Sequence, residues 1–298
     1  MAQAQSGRPT ENMNEHCGVA DMGMSETAAV HIRPASGWAP LNVSELWESR
    51  ELLLFFAWRD LKVRYKQTAL GVSWALIKPL SLVGVFSVVF GSLAKIPSDG
   101  FPYPLFSLCA LLPWQLFSHT LAGASQSLVG SQNLLTKVYF PRLIIPLSTM
   151  MSGVVDFIVA AGALLALMGY FHILPTPYVW TLPLFVALAG MISLGVGLWL
   201  SALNVRYRDV GHALPFLTQI WFFATPVAYP ISLVPESWRI WYGLNPMASV
   251  VGGFRWAILG TEGIPVETLL LSLSVSAAVC ISGLYYFRRM EETFADVV

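Results

Sequence analysis

The chain of 298 residues is 55% hydrophobic and only 11% charged, with a mean hydropathy of +0.62, whereas soluble domains carry roughly 25% charged residues. Seventeen basic and seventeen acidic side chains cancel, which argues against nucleic acid as the main partner. Cys17, Cys109 and Cys280 lie far apart with no C-x-x-C pair, so a disulfide framework is excluded and no cysteine metal site is expected. The composition is that of an integral membrane protein.

Residues 1–41 are rich in Gly, Ser, Pro, Asn and Glu and hold no long apolar run, so they read as a disordered cytosolic tail. The basic start and apolar core of a secretory signal are both missing. The segment 42–70 follows, with a helical pattern from Asn42 to Gln67. Leu46, Trp47, Leu53, Leu54, Ala57, Trp58, Leu61 and Tyr65 recur near one face, and Arg59, Asp60, Lys62, Arg64 and Lys66 fall largely on the other. That pattern predicts an amphipathic helix lying in the membrane interface.

The remainder, 71–298, reads as one membrane domain. Six apolar stretches of spanning length occur at about 75–94, 105–127, 143–170, 180–203, 214–230 and 266–287. Between the last two, residues 231–260 hold two semi-apolar pieces too short to span, which predicts short re-entrant helices. The expected fold is therefore all-α: six transmembrane helices preceded by an interfacial helix. With both termini in the cytosol, only Lys95, Arg239 and Arg255 among the seventeen basic residues fall outside, as the positive-inside rule requires.

Enzyme motifs are absent: there is no phosphate-binding loop, no H-E-x-x-H and no G-x-S-x-G. No catalytic residue and no metal site is expected. Inside the spans, His119 and Asp156 are the scarce ionisable groups, and Asp156 reads either as a polar contact between helices or as a proton relay. Aromatic residues are the positive signal, ten of them in the 43 residues from 214 to 256. They read either as an interfacial belt or as the wall of a channel, since flat rings stack on sugar faces without demanding a fixed register. Between the second and third stretches, the segment from Ser131 to Arg142 is amphipathic and broken by Pro141. It is either an ordinary loop or a stripe of Leu134, Leu135, Val138 and Tyr139 offered to a partner groove.

At these residues the chain resembles a known family. The run from Trp58 to Trp74, with its Arg64-Tyr-Lys-Gln67 core, is similar to the start of the membrane subunits of polysaccharide-exporting ABC transporters, the type-2 permeases for O-antigen, capsule or teichoic acid. Lys78-Pro-Leu80, Leu112-Pro-Trp114, Lys137-Val-Tyr-Phe-Pro-Arg142, Tyr207-Arg-Asp-Val210, Pro226-Val-Ala-Tyr-Pro230 and Leu244-Asn-Pro-Met247 follow in family order. The resemblance covers the chain from about residue 50 onward, and each motif is weak alone while the ordered set is specific. It implies a homodimer in the bacterial inner membrane, working with two copies of a separate ABC nucleotide-binding subunit that binds ATP and Mg. No cofactor is expected in this chain itself.

The substrate implied is a lipid-linked polysaccharide. Trp74, Phe86, Phe90, Trp114, Phe117, Trp221, Phe222 and Phe223 are then expected along the channel. Arg59, Lys62, Arg64 and Lys66 are expected at the cytosolic entrance, facing the lipid pyrophosphate. Leu134, Leu135, Lys137, Val138, Tyr139, Phe140 and Arg142 are expected to seat on the ATPase. The competing reading is a permease of the same type for a small molecule or lipid; a membrane-embedded glycan-modifying enzyme is the alternative of a different class.

Overall fold

The computed structural model describes residues 43–66, 70–135, 137 and 140–297, and among them all regular structure is helical. The tail expected over 1–41 lies outside the described residues. Two helices open the described chain, α1 (Val43–Glu48) and α2 (Arg50–Lys66). Then comes α3 (Trp74–Phe86), prolonged by a wider-turned π segment, Ser87–Leu93. It is followed by α4 (Tyr103–Gly130), the single turn α5 (Gln132–Leu135) and α6 (Ile144–Tyr170). A 3-10 turn at Pro177–Thr181 leads into α7 (Leu182–Arg206), and α8 is Asp209–Ala224. Two short helices, α9 (Glu236–Gly243) and α10 (Pro246–Leu259), precede α11 (Val266–Val297).

Five stretches among the described residues are long and apolar enough to cross a bilayer: Trp74–Leu93, Tyr103–Gly130, Ile144–Tyr170, Pro177–Arg206 and Val266–Glu291. They match the first four and the last of the runs counted in the sequence. The run at 214–230 is built differently. Its helical part, α8, has 16 residues, a rise of about 24 Å against a hydrocarbon thickness of roughly 30 Å. The cause is local, because a proline disfavours helical geometry in the residue before it. Thr225, ahead of Pro226, is extended at φ −103° and ψ 137°. From there Thr225, Pro226, Val227 and Ala228 run as a buried turn instead of a further helical turn.

Within 231–260 stand α9 and α10, with 8 and 14 residues, both too short to span. Each end of α10 is closed by its own sequence. Asn245 accepts a hydrogen bond from the Met247 amide at 3.2 Å, Pro246 occupies the first turn, and Gly260 caps the far end at φ 75°. Met247, Val250, Val251, Phe254 and Ala257 bury this helix among its neighbours.

The central helix is α4, with 78% of its apolar stretch buried, whereas the figure for α3 and for α11 is 17%. Those two turn most of their apolar surface outward, toward lipid or another subunit. Behind α4, α7 and α11 approach closely because glycines face each other. A Cβ on Gly195 would stand 2.7 Å from Cys280 Cα, and one on Gly283 would strike the Gly195 carbonyl. Small residues that let backbones meet are the usual basis of helix packing in lipid.

The helix expected to be amphipathic, α2, departs from its two-faced pattern. Phe56 and Ala57 are buried and Leu53 packs inward, yet Trp47, Leu54 and Trp58, expected beside them, point outward. Apolar side chains thus surround much of the helix, which suits a segment with protein on one side and lipid on the other. It runs alongside α6: Phe56 packs with Ile144 and Ile145, Asp60 accepts from Ser148 Oγ at 3.4 Å, and Arg64 pairs with Asp156.

Candidate functional site

Three elements converge on one aromatic cluster. Phe86 and Phe90 come from α3 and its continuation, Trp114 and Phe117 from α4, and Trp221, Phe222 and Phe223 from α8. Ring centroids are 5.9 Å apart for Phe86 and Phe222, 5.3 Å for Trp114 and Phe222, and 4.8 Å for Phe117 and Trp221, most of them edge to face or tilted. Aromatic pairs favour this geometry. Seven of the eight rings expected to line a channel are therefore brought together. Trp74 stands apart, at a separate cavity.

The cluster is not a bare wall. Phe86, Trp114 and Phe117 are buried inside the chain, and Phe117 presents no surface at all. Exposure is concentrated on α8, where Phe216, Leu217, Ile220 and Phe223 face outward. Beside them a cleft of about 370 Å³ opens between α4 and α8. The rings of Trp114 and Phe222 line it together with Ser118, Gln126, Thr218 and Gln219. A pair of rings in contact and four hydrogen-bonding side chains thus share one groove.

Side chains missed by the sequence reading hold this arrangement in place. Trp221 Nε1 donates to Asn245 Oδ1 at 2.9 Å, and Asn245 Nδ2 donates to Thr225 Oγ1 at 3.0 Å, tying the end of α8 to the start of α10. Tyr103 Oη donates to the Ala228 carbonyl at 2.6 Å. Arg255 is 4% exposed, donates to the carbonyls of Pro226 and Val227 at 2.7 Å and of Tyr229 at 3.1 Å, and lies 3.6 Å from the centre of the Phe106 ring. The signal for Arg255 was visible, a single cation inside the apolar run 247–259. Counting it only as a charge on the outer side hid its role.

The four entrance cations do not act alike. Arg59 forks onto Asp60 at 2.9 Å and lies over the Phe56 ring, and Arg64 is paired with Asp156. Only Lys62 and Lys66 are exposed as expected. Asp156 accepts a second hydrogen bond from Tyr65 Oη at 2.5 Å. Burial, reinforced by that bond, pushes the Tyr65 hydroxyl up to about 12. Asp156 is thus a polar tie between α2 and α6. This trio lines a cavity of about 640 Å³ together with Trp74, Lys78, Gln115, Ser118 and His119.

In the segment expected to meet the ATPase, Val138 and Tyr139 lie outside the described residues, and so does the side chain of Leu135. Leu134 is half-buried and Lys137 exposed. Phe140 and Arg142 turn inward, contrary to expectation. The Phe140 ring packs 5.6 Å from Phe56 beside Ile144 and Ile145, because an aromatic at the mouth of two apolar helices is more stable covered than wet. Arg142 donates to the backbone carbonyl of Glu291 near the end of α11.

A family model described as "ABC-2 type transporter" matches residues 51–259. The chain belongs to the ABC-2 type transporter family. The O-antigen export system permease protein RfbA of Myxococcus xanthus is 32% identical over 259 residues, 86% of this chain and 98% of the relative. Its namesake from Klebsiella pneumoniae is 27% identical over 252 residues, 83% and 95% of the two chains. The polysialic acid transport protein KpsM of Escherichia coli is 22% identical over 248 residues, 78% and 91%. An ABC-2 type transporter chain with five bilayer-length helices among its described residues is a multi-pass membrane permease, and its relatives carry the names of transport subunits.

Proposed function

We propose that this chain is the transmembrane subunit of an ATP-driven exporter that moves a lipid-linked polysaccharide out of the cytosol across the bacterial inner membrane. Two copies form the channel, and two copies of a separate nucleotide-binding subunit bind ATP and Mg and drive it. In this reading α8 supplies the sixth crossing together with the turn after it, α1 and the start of α2 lie at the cytosolic headgroup level beside the start of α6, with the end of α2 reaching Asp156 half-way along that helix, and both termini are cytosolic. The names of the relatives support the substrate class.

One observation carries the reading, the α4–α8 cleft in which Trp114 and Phe222 stand among Ser118, Gln126, Thr218 and Gln219. A polyhydroxylated chain cannot cross hydrocarbon, where each unsatisfied polar group costs several kcal/mol. It needs a path offering hydrogen bonds at intervals and flat faces between them, and neither a charged ring nor a purely apolar wall provides both. The rings of Phe86 and Phe117, which do not line the cleft, pack behind Phe222 and Trp114 and back this surface. Deleting the gene in its host tests the proposal, with a lectin or antibody applied to intact and then to permeabilised cells. Polymer lost from the surface and accumulated inside is the expected result; unchanged surface polymer overturns the reading in favour of a small-molecule permease.

A further inference from the structure

The 640 Å³ cavity between the end of α2, the start of α3 and the facing sides of α4 and α6 has a mixed lining. The polar side chains Lys78, Gln115, Ser118 and His119 stand among the apolar Leu112, Leu116, Phe157 and Ala160. Two cations reach it in different states. Arg64 is held by Asp156, 92 positions away in sequence, with Tyr65 donating to the same carboxylate. Lys78 is exposed to the cavity side of α3 and forms no ion pair among the described residues. His119 Nδ1 is buried there without a hydrogen-bond partner among the described residues.

An exposed ammonium without an ion-pair partner, at a cavity between apolar helices, is available to an anion. The lining says which kind. A lysine, an amide and a hydroxyl suit phosphate oxygens, and the aliphatic and aromatic side chains among them suit hydrocarbon attached to those oxygens. The volume lies in the range of sites that enclose a small ligand or headgroup. Arg64 adds a second stage, because an arriving phosphate offers its guanidinium two oxygens where Asp156 now offers one, Oδ2, its other oxygen being taken by Tyr65.

We propose that this cavity binds the phosphate group of a lipid, held by Lys78 with Gln115 and Ser118, and that Arg64 leaves Asp156 to join it. The site is argued from its own lining; only the identification of the lipid as the carrier of exported polysaccharide rests on the exporter reading. Exchange of Arg64 between Asp156 and the ligand would remove one of the ties at the end of α2, leaving Tyr65 on Asp156, so that occupancy of the cavity is felt by the helix at its mouth.

The full-length protein in phosphatidylcholine nanodiscs, titrated with radiolabelled undecaprenyl phosphate, tests this. Lys78→Met should weaken binding by about tenfold or more, the loss expected for one charge-assisted contact, and Lys78→Arg should keep most of it. Asp156→Asn should tighten binding, since it frees Arg64, whereas a merely structural Asp156 would give no gain. Phosphatidylglycerol competing as well as the prenyl phosphate would confirm a lipid-phosphate site but detach it from the cargo. Inorganic phosphate competing equally would overturn the lipid part of the proposal. Unchanged binding in Lys78→Met would overturn the site itself. Thermal unfolding of each variant distinguishes a lost site from a lost fold. Because binding is read without export, its failure stays separate from that of the surface-polymer experiment.

Discussion

Arg255 is a guanidinium with 4% exposure that forms no ion pair among the described residues, its charge met by main-chain carbonyls and the face of Phe106. Removing it leaves the carbonyls of Pro226 and Val227 buried and unpaired, each costing about 1–3 kcal/mol. Arg255→Met should therefore lower the thermal unfolding midpoint of the detergent-solubilised protein by several degrees. Arg255→Lys should recover only part of the loss, since an ammonium cannot span these acceptors as a planar fork does. Full recovery by lysine would mean that charge alone matters. The position shows how far a sequence reading reaches at this scale. An arginine amid Gly253, Phe254, Trp256 and Ala257 signals a buried role, but its acceptors lie 26 to 29 positions upstream and only folding reveals them.

At the scale of elements, helices betray themselves through apolar runs, and the five long ones were legible for that reason. The sixth was not, because hydropathy continues through Thr225–Pro230 while Pro226 stops the helix geometry. The aromatic cluster shows a second limit. Its rings come from α3, α4 and α8, and no periodicity within one helix reports a meeting of three. The facing of α2 was misread for a related reason: with lipid outside and protein inside, apolar residues serve both faces, and the pattern ceases to say which is buried. The α7–α11 contact gives a test with an internal control. Gly283→Ala would drive a Cβ against the Gly195 carbonyl, which no side-chain rotation relieves, while Gly162 in α6 has open space where its Cβ would stand. Gly283→Ala should reduce the monodisperse fraction on fluorescence size-exclusion chromatography. Gly162→Ala should leave it unchanged or raise it, as an alanine in a helix is favoured over glycine by about 0.5–1 kcal/mol. Similar losses in both would count against close backbone packing.

Across the whole molecule, the segment following α5 is joined to the far end of the chain. Arg142 bonds the carbonyl of Glu291, Arg288 bonds the Glu291 carboxylate at 3.1 Å, and Phe287 is fully buried with Leu128, Leu143 and Leu198. A push received between α4 and α6 therefore reaches α11 directly and, through its glycine contact, α7. Arg142→Ala should leave ATP hydrolysis by the assembled transporter largely intact while surface polymer falls. Hydrolysis and export declining in parallel would point to assembly and not transmission.

The same molecule fastens its two ends with different chemistry. Arg64 is held by a carboxylate, a single side chain whose place a competing anion can take. The main-chain carbonyls that hold Arg255 are part of the backbone and cannot be exchanged in that way. If the α9–α10 end faces the outside of the cell, its fastening is permanent, while the exchangeable bond is kept on the side of α2.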